Sequence, residues 1–311
     1  MAVTHIADIS YRFNITGKNE SGETILFLNN LFDSFESWSQ VLPYFNQSHY
    51  RFLRLDYRGQ WYTEAGKKAL TFESQVQDIC FLLDQLDLDR VHIVGQGLGA
   101  EIGLWFALQY PDRIISLSAL SALASMDDVQ YQTCQRWRRL VSNSLDKQHS
   151  VRRVNDTSSS ELLYEQLSQD RFGDDYLINS LELLRENATL FEQRLTTNIL
   201  MGFIHLIDQK CRLQRSERLS EHLGEIYTPT LILNGSQDKF SSPRSGAIMS
   251  RALPLAKQVI VPGAGHELVH EKNVIVGAQL AAFIDQYSMS QEPYQPEIKG
   301  YYGMDQLFGV G

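Results

Sequence analysis

Residues 91–100 read Val-His-Ile-Val-Gly-Gln-Gly-Leu-Gly-Ala, "VHIVGQGLGA". The apolar run 91–95 has the length and flanking residues of a buried strand, and the glycines after it mark a tight turn into a helix. Such a turn needs small residues at Gly95 and Gly99 because strand and helix run close together. Its central residue is forced into an unfavourable backbone conformation that stands its side chain clear of the sheet. That central residue is Gly97, which has no side chain to present. Glycine-rich turns also bind dinucleotides, but the spacing here is G-Q-G-L-G rather than G-x-G-x-x-G, and no acidic residue ends a following strand near 115–120. Nicotinamide binding is disfavoured, and no cofactor or metal is expected.

Working outward, apolar runs alternate with amphipathic stretches through the first 120 residues. "TILFL" (24–28), "RFLRL" (51–55) and "IISLSAL" (114–120) read as strands, residues 4–9 and 10–16 as an antiparallel entry hairpin, and "TFESQVQDICFLLDQL" (71–86) as a helix with a Thr N-cap. A second series of the same kind returns with "PTLILNG" (229–235), "SPRSGAIMSRAL" (242–253), "KQVIVPGAG" (257–265) and "VIVGAQLAAFIDQYS" (274–288). Between them, 121–226 has no strand signal and many helical repeats, the pattern of a helical cap inserted into the core formed by 1–120 and 227–288. Phe172, Tyr176, Phe191, Met201, Phe203 and Ile204 are spaced to line its inner face. The last stretch, 289–311, lacks periodicity and reads as a strap or a frayed end.

The bulk numbers exclude several classes. A formal charge of -9 argues against a nucleic-acid partner, because counterion release needs a lysine/arginine face. Arg136, Arg138 and Arg139, or Arg152 and Arg153, could give a local basic patch for an acidic carrier. Three cysteines without a C-x-x-C pair indicate neither a disulfide framework nor a zinc site. No apolar run is long enough to cross a membrane, and the start "MAVTHIADIS" has no signal-peptide pattern, so a cytoplasmic protein without membrane insertion is expected. Its partner is expected to be a small molecule.

Two further residues fall in a telling order: Asp238 just after the strand in "LILNGSQDKF", then His266 just after the next strand in "VIVPGAGH". The sequence turn, acid, histidine, together with "LDYRGQ" (55–60) and "YPDRI" (110–114), resembles the α/β-hydrolase superfamily over 24–120 and 227–286. More narrowly, "FLNNLFDSFESW" and "LNGSQDKF" are similar to the rhamnolipid-precursor acyltransferases. The superfamily resemblance implies a mostly parallel sheet of about eight strands flanked by helices. It implies an oxyanion hole from Leu98 N–H and from Leu31 or Phe32 N–H, and a general base His266 oriented by Asp238. It also implies a pocket reached by Asn29, Asn30, Gln96, Phe172, Tyr176 and Phe203, and an acyl ester or thioester substrate carried by coenzyme A or an acyl carrier. Asn29 and Asn30 stand where the family usually has His-Gly.

The departure at Gly97 leaves three explanations open. Gly97 replaces a serine in a variant made inactive; or the His266–Asp238 pair works without a covalent intermediate, as a hydrolase, lyase or cyclase; or the chain is an inactive relative that binds an apolar small molecule. The intact pair favours an enzyme.

Overall fold

The computed structural model describes residues 2–6, 9–17, 22–67, 69–149, 161–214 and 216–288. The expected tail at 289–311 and the pair Arg152 and Arg153 lie outside them.

The chain runs β1 (Ala2–Ile6), β2 (Ile9–Thr16), β3 (Glu23–Leu28), β4 (Tyr50–Asp56), α1 (Phe72–Gln85), β5 (Val91–Gln96), α2 (Leu98–Gln109) and β6 (Ile114–Leu120). Then come α3 (Asp128–His149), α4 (Glu161–Arg171), α5 (Asp174–Asn179), α6 (Leu181–Arg194) and α7 (Thr197–Cys211). The second series follows: β7 (Thr230–Gly235), α8 (Pro243–Ala252), β8 (Ala256–Val261), α9 (Leu268–Glu271) and α10 (Asn273–Tyr287). The eight strands form one sheet in the order β1-β2-β4-β3-β5-β6-β7-β8. β1 and β2, and β2 and β4, pair antiparallel, and the other neighbours are parallel.

Burial follows from this arrangement. In β2 the alternation Ile9, Tyr11, Phe13 inward is that of a strand with one face covered, whereas β5 is buried at every position because helices cover both faces. Leu26, Leu53 and Ile93 face one way and pack with α1 and α2, while Ile25, Phe27, Phe52 and Val94 face the other and pack with α10. The expected Thr71 cap is present, its hydroxyl accepting from Ser74 N–H while the Ser74 hydroxyl accepts from Thr71 N–H.

Among the described residues no strand occurs between Leu120 and Thr230, and α3 to α7 form a helical insertion over the carboxyl ends of the strands. Phe172, Phe191, Phe203 and Ile204 are buried there, but Met201 is 39% exposed and faces away from the interior, contrary to the sequence expectation. Arg136 and Arg138 do not form a free basic patch either, since they pair with Asp170 and Asp208.

Candidate functional site

The β5–α2 turn has the strained shape its glycines foretold. Gly97 sits at φ 53°, ψ -118°, a region that favours glycine, and its N–H donates to Leu120 C=O at 2.8 Å. A Cβ on Gly95 would come within 2.6 Å of Ala100 N, so strand and helix meet too closely there for any side chain.

The space beside Gly97 is filled. A Cβ on Gly97 would overlap the Asn30 carboxamide oxygen. Asn30 is held there from three directions: its Oδ1 accepts from Leu31 N–H at 2.8 Å, its Nδ2 donates to Glu267 Oε1 at 2.7 Å, and its C=O accepts from Gln60 Nε2 at 2.7 Å. The Leu31 N–H expected to serve an oxyanion is therefore already bonded within the chain. Leu98 opens α2, where its N–H has no acceptor inside the helix. Among the described residues no acceptor reaches Phe32 N–H, while the Phe32 carbonyl accepts from Trp61 Nε1 at 3.1 Å and its ring lies edge-on to Phe203.

The structure brings Asp238 and His266 together. His266 Nδ1 lies 3.0 Å from Asp238 Oδ2, and the Ser241 hydroxyl donates to the same carboxylate oxygen at 2.7 Å. Asp238 Oδ1 accepts from the N–H groups of Phe240 and Ser241, both at 2.8 Å. An ionised carboxylate only accepts, so Nδ1 carries the imidazole proton and Nε2 keeps its lone pair. Burial pushes Asp238 up, but His266 and the hydrogen bonds outweigh it and hold the carboxyl below its usual value. Burial pushes His266 down, and Asp238 overcomes that, leaving the imidazole above its usual value. Among the described residues no hydrogen-bond partner reaches Nε2.

A buried charged network lies next to this pair. Glu267, the neighbour of His266, accepts from Arg171 Nε at 2.6 Å, Asn30 Nδ2 at 2.7 Å and Gln96 Nε2 at 2.6 Å. Arg171, at the end of α4, also reaches Asp33 at 2.9 Å, and His270 stands 3.5 Å from Asp33. Burial raises Glu267 to about 7 against the pull of Arg171. Ligand atoms of Asp33, Glu267 and His270 lie within 4.8 Å of one another, but the Arg171 guanidinium already bridges the two carboxylates, so the donor set does not fit a cation.

Several expected pocket residues are structural. Asn29 Nδ2 donates to Leu55 C=O, Asp56 and Gln60, while its Oδ1 accepts from Trp38 Nε1 at 2.9 Å, so it braces the loop after β3 and offers nothing to a ligand. Gln96 ties Glu267 to Val269 N–H. Phe172 stacks on Tyr176 at 5.0 Å beside His270, whereas Phe203 packs with Phe32, Trp61 and Phe191. The three thus belong to two clusters rather than one lining. Phe240 touches both Trp137 at 4.9 Å and the His266 ring at 5.4 Å, closing the insertion over the pair. Two open cavities, of about 440 and 500 Å³, are lined by residues such as Tyr131, His205 and Arg212 in one and Val129 and Arg136 in the other. Neither reaches Gly97, Asp238 or His266.

Sequence reading missed Glu267, Arg171 and Asp33, and also the buried pair of Lys210 on α7 with Glu101 on α2. The usable signal was a charge inside an apolar stretch: Glu101 in "LGAEIGLWFAL" and Lys210 at the end of "NILMGFIHLIDQK".

The model of the alpha/beta hydrolase fold family matches residues 23–273. Epoxide hydrolase 2 from Siraitia grosvenorii is 35% identical over 103 residues, 32% of this chain, so the match spans only 33% of that relative's length. Monoacylglycerol lipase ABHD6 from Rattus norvegicus is 21% identical over 86% of this chain and 77% of its own. Among solved structures MGS-M2, from a Medee basin deep-sea metagenome library, superposes with a TM-score of 0.79 at 22% identity over 93% of this chain and 99% of that one. No helix among the described residues is long and apolar enough to cross a membrane.

Proposed function

Because the chain belongs to the alpha/beta hydrolase fold family, we propose that it is an enzyme acting on an acyl ester or thioester by general acid–base chemistry, without a covalent acyl-enzyme. One observation carries this reading: Asn30 fills the place of a side chain at residue 97, beside a His266–Asp238 pair with its orienting bonds complete. Gly97 takes the position where the family presents its nucleophile. Asn30 is tethered by Leu31, Glu267 and Gln60, which supports a turn that works with a glycine. The lipase relative, by its name, acts on an ester, which supports the substrate class.

In the proposed reaction a water, or a hydroxyl of the substrate itself, attacks the carbonyl carbon while His266 Nε2 takes its proton. The new C–O bond forms as the carbonyl π pair moves onto oxygen. Collapse restores the C=O and expels an alkoxide or thiolate, which receives the proton back from the imidazolium. Asp238 keeps the ring in the tautomer this requires. Entry to the pair needs the helical insertion to move, because Phe240 meets the His266 ring and Trp137 of the insertion packs on Phe240.

The test compares the natural chain with His266→Ala on p-nitrophenyl butyrate and butyryl-coenzyme A. The reading expects turnover that His266→Ala lowers about a hundredfold to ten-thousandfold. Equal rates for the two proteins, or no turnover of either probe, overturn it.

A further inference from the structure

Asn30 occupies Leu31 N–H, which removes one of the donors expected for a carbonyl oxygen, and a buried cation packs on the ring that the His266 imidazole also meets. Lys210, 1% exposed, projects from the last turn of α7 onto Glu101, one turn into α2 from Gly97. Its ammonium lies over the Phe240 ring at 5.3 Å, and the His266 ring meets that same ring edge-on at 5.4 Å. The cation and the base thus pack on the same phenyl group.

The Lys210–Glu101 pair is incompletely satisfied. Glu101 Oε1 accepts from Lys210 Nζ and from Leu123 N–H at 3.2 Å, but Oε2 is fully buried and has no partner. An ammonium has three donors, and among the described residues Glu101 is the hydrogen-bond acceptor that Lys210 reaches. A latch serving only to hold the insertion to the core would be expected to satisfy both carboxylate oxygens, since each buried orphan is costly. The unused capacity is one acceptor and two donors at a pair that shares the Phe240 ring with the base, which fits a ligand with a carbonyl oxygen and an O–H or N–H next to it.

We propose that Lys210 is a catalytic residue: its ammonium, steadied by Glu101, hydrogen-bonds the substrate carbonyl oxygen and stabilises the negative charge that forms there, while Glu101 Oε2 accepts from a neighbouring hydroxyl or amide of the substrate. Lys210 keeps its protons throughout, and the proton inventory stays with His266 and the leaving group. The proposal rests on the non-covalent reading of the His266–Asp238 pair. It adds an oxyanion-stabilising group from the helical insertion to the backbone N–H groups of the core, so that catalysis is complete only with the insertion closed.

The test measures kcat and KM for p-nitrophenyl butyrate and butyryl-coenzyme A in the natural chain, His266→Ala, Lys210→Met, Lys210→Arg and the double variant Lys210→Met/Glu101→Gln, with urea melts on each. Lys210→Met should lose about a hundredfold to a thousandfold in kcat, the scale of a lost oxyanion donor, with a smaller change in KM. That variant also strands a buried carboxylate, which destabilises the protein, so the double variant decides. With both charges gone it should regain stability without regaining turnover, while Lys210→Arg keeps part of the rate. A double variant that is stable and turns over at the natural rate, while His266→Ala does not, overturns the role of Lys210 and leaves the dyad reading standing. Turnover unaffected by His266→Ala overturns the dyad reading, and the role of Lys210 with it.

Discussion

The Asn30 carboxamide oxygen overlaps the position of a Cβ on Gly97 and is bonded there to Leu31 N–H, so a side chain at residue 97 requires Asn30 to shift. One side chain therefore fills the nucleophile space and uses a donor expected for the oxyanion. Gly97→Ser alone is expected to destabilise the protein, by about 1–3 kcal/mol for the φ of 53° plus the cost of displacing Asn30, and to form no acyl-enzyme. The double change Gly97→Ser/Asn30→Gly frees both the space and the Leu31 N–H, and should form an acyl-enzyme with a burst of p-nitrophenol. A burst from Gly97→Ser alone at unchanged stability would show that Asn30 does not hold the space.

The acid limb of the pH–rate profile should report His266. Asp238 holds the imidazole above its usual value, so the rate should fall as pH drops through a midpoint above 6.5. In Asp238→Asn the burial penalty acts without the compensating charge, so the midpoint should move to lower pH while the plateau rate falls. An unchanged midpoint in that variant would mean that another group governs the profile.

Stability should fall as pH rises from about 5 to about 8.5. Glu267 is raised to about 7 from an ordinary 4.5, so its contribution is complete below 4.5 and lost as pH rises through about 7. His266 and His270, also raised, contribute below 6.5 and lose that contribution above their folded values. Asp33 and Asp238 are lowered, so their contributions are complete above 3.8 and do not oppose the trend in this range. Arg171→Met, which leaves Glu267 without its cation, should cost about 3–5 kcal/mol, with the larger loss at the higher pH where Glu267 must be buried ionised. Urea melts at the two pH values give both results; a loss that is larger at the lower pH would contradict the network.

The fold was legible because burial imposes periodicity. β5, covered on both faces, reads as a continuous apolar run, and Thr71 announces the start of α1. Asp238 and His266 were legible because their places after β7 and β8 are set by the topology. What was not legible depends on side chains meeting across the chain. Asn30 and Gly97 are 67 positions apart, Glu267 and Arg171 are 96 apart, and Lys210 and Glu101 are 109 apart, so no local pattern pairs them. Asn29 and Asn30 illustrate the difficulty, since adjacent and identical residues do different work: Asn29 braces Asp56 and Trp38, and Asn30 fills the turn.

The absence of a covalent intermediate is tested most directly by intact-mass analysis of the natural chain quenched during turnover of p-nitrophenyl butyrate, with p-nitrophenol release followed on the same samples. Linear release from the first turnover, with the protein at its unmodified mass and the rate dependent on His266, is the result expected of non-covalent catalysis. A burst accompanied by a protein species heavier by one butyryl group would contradict it.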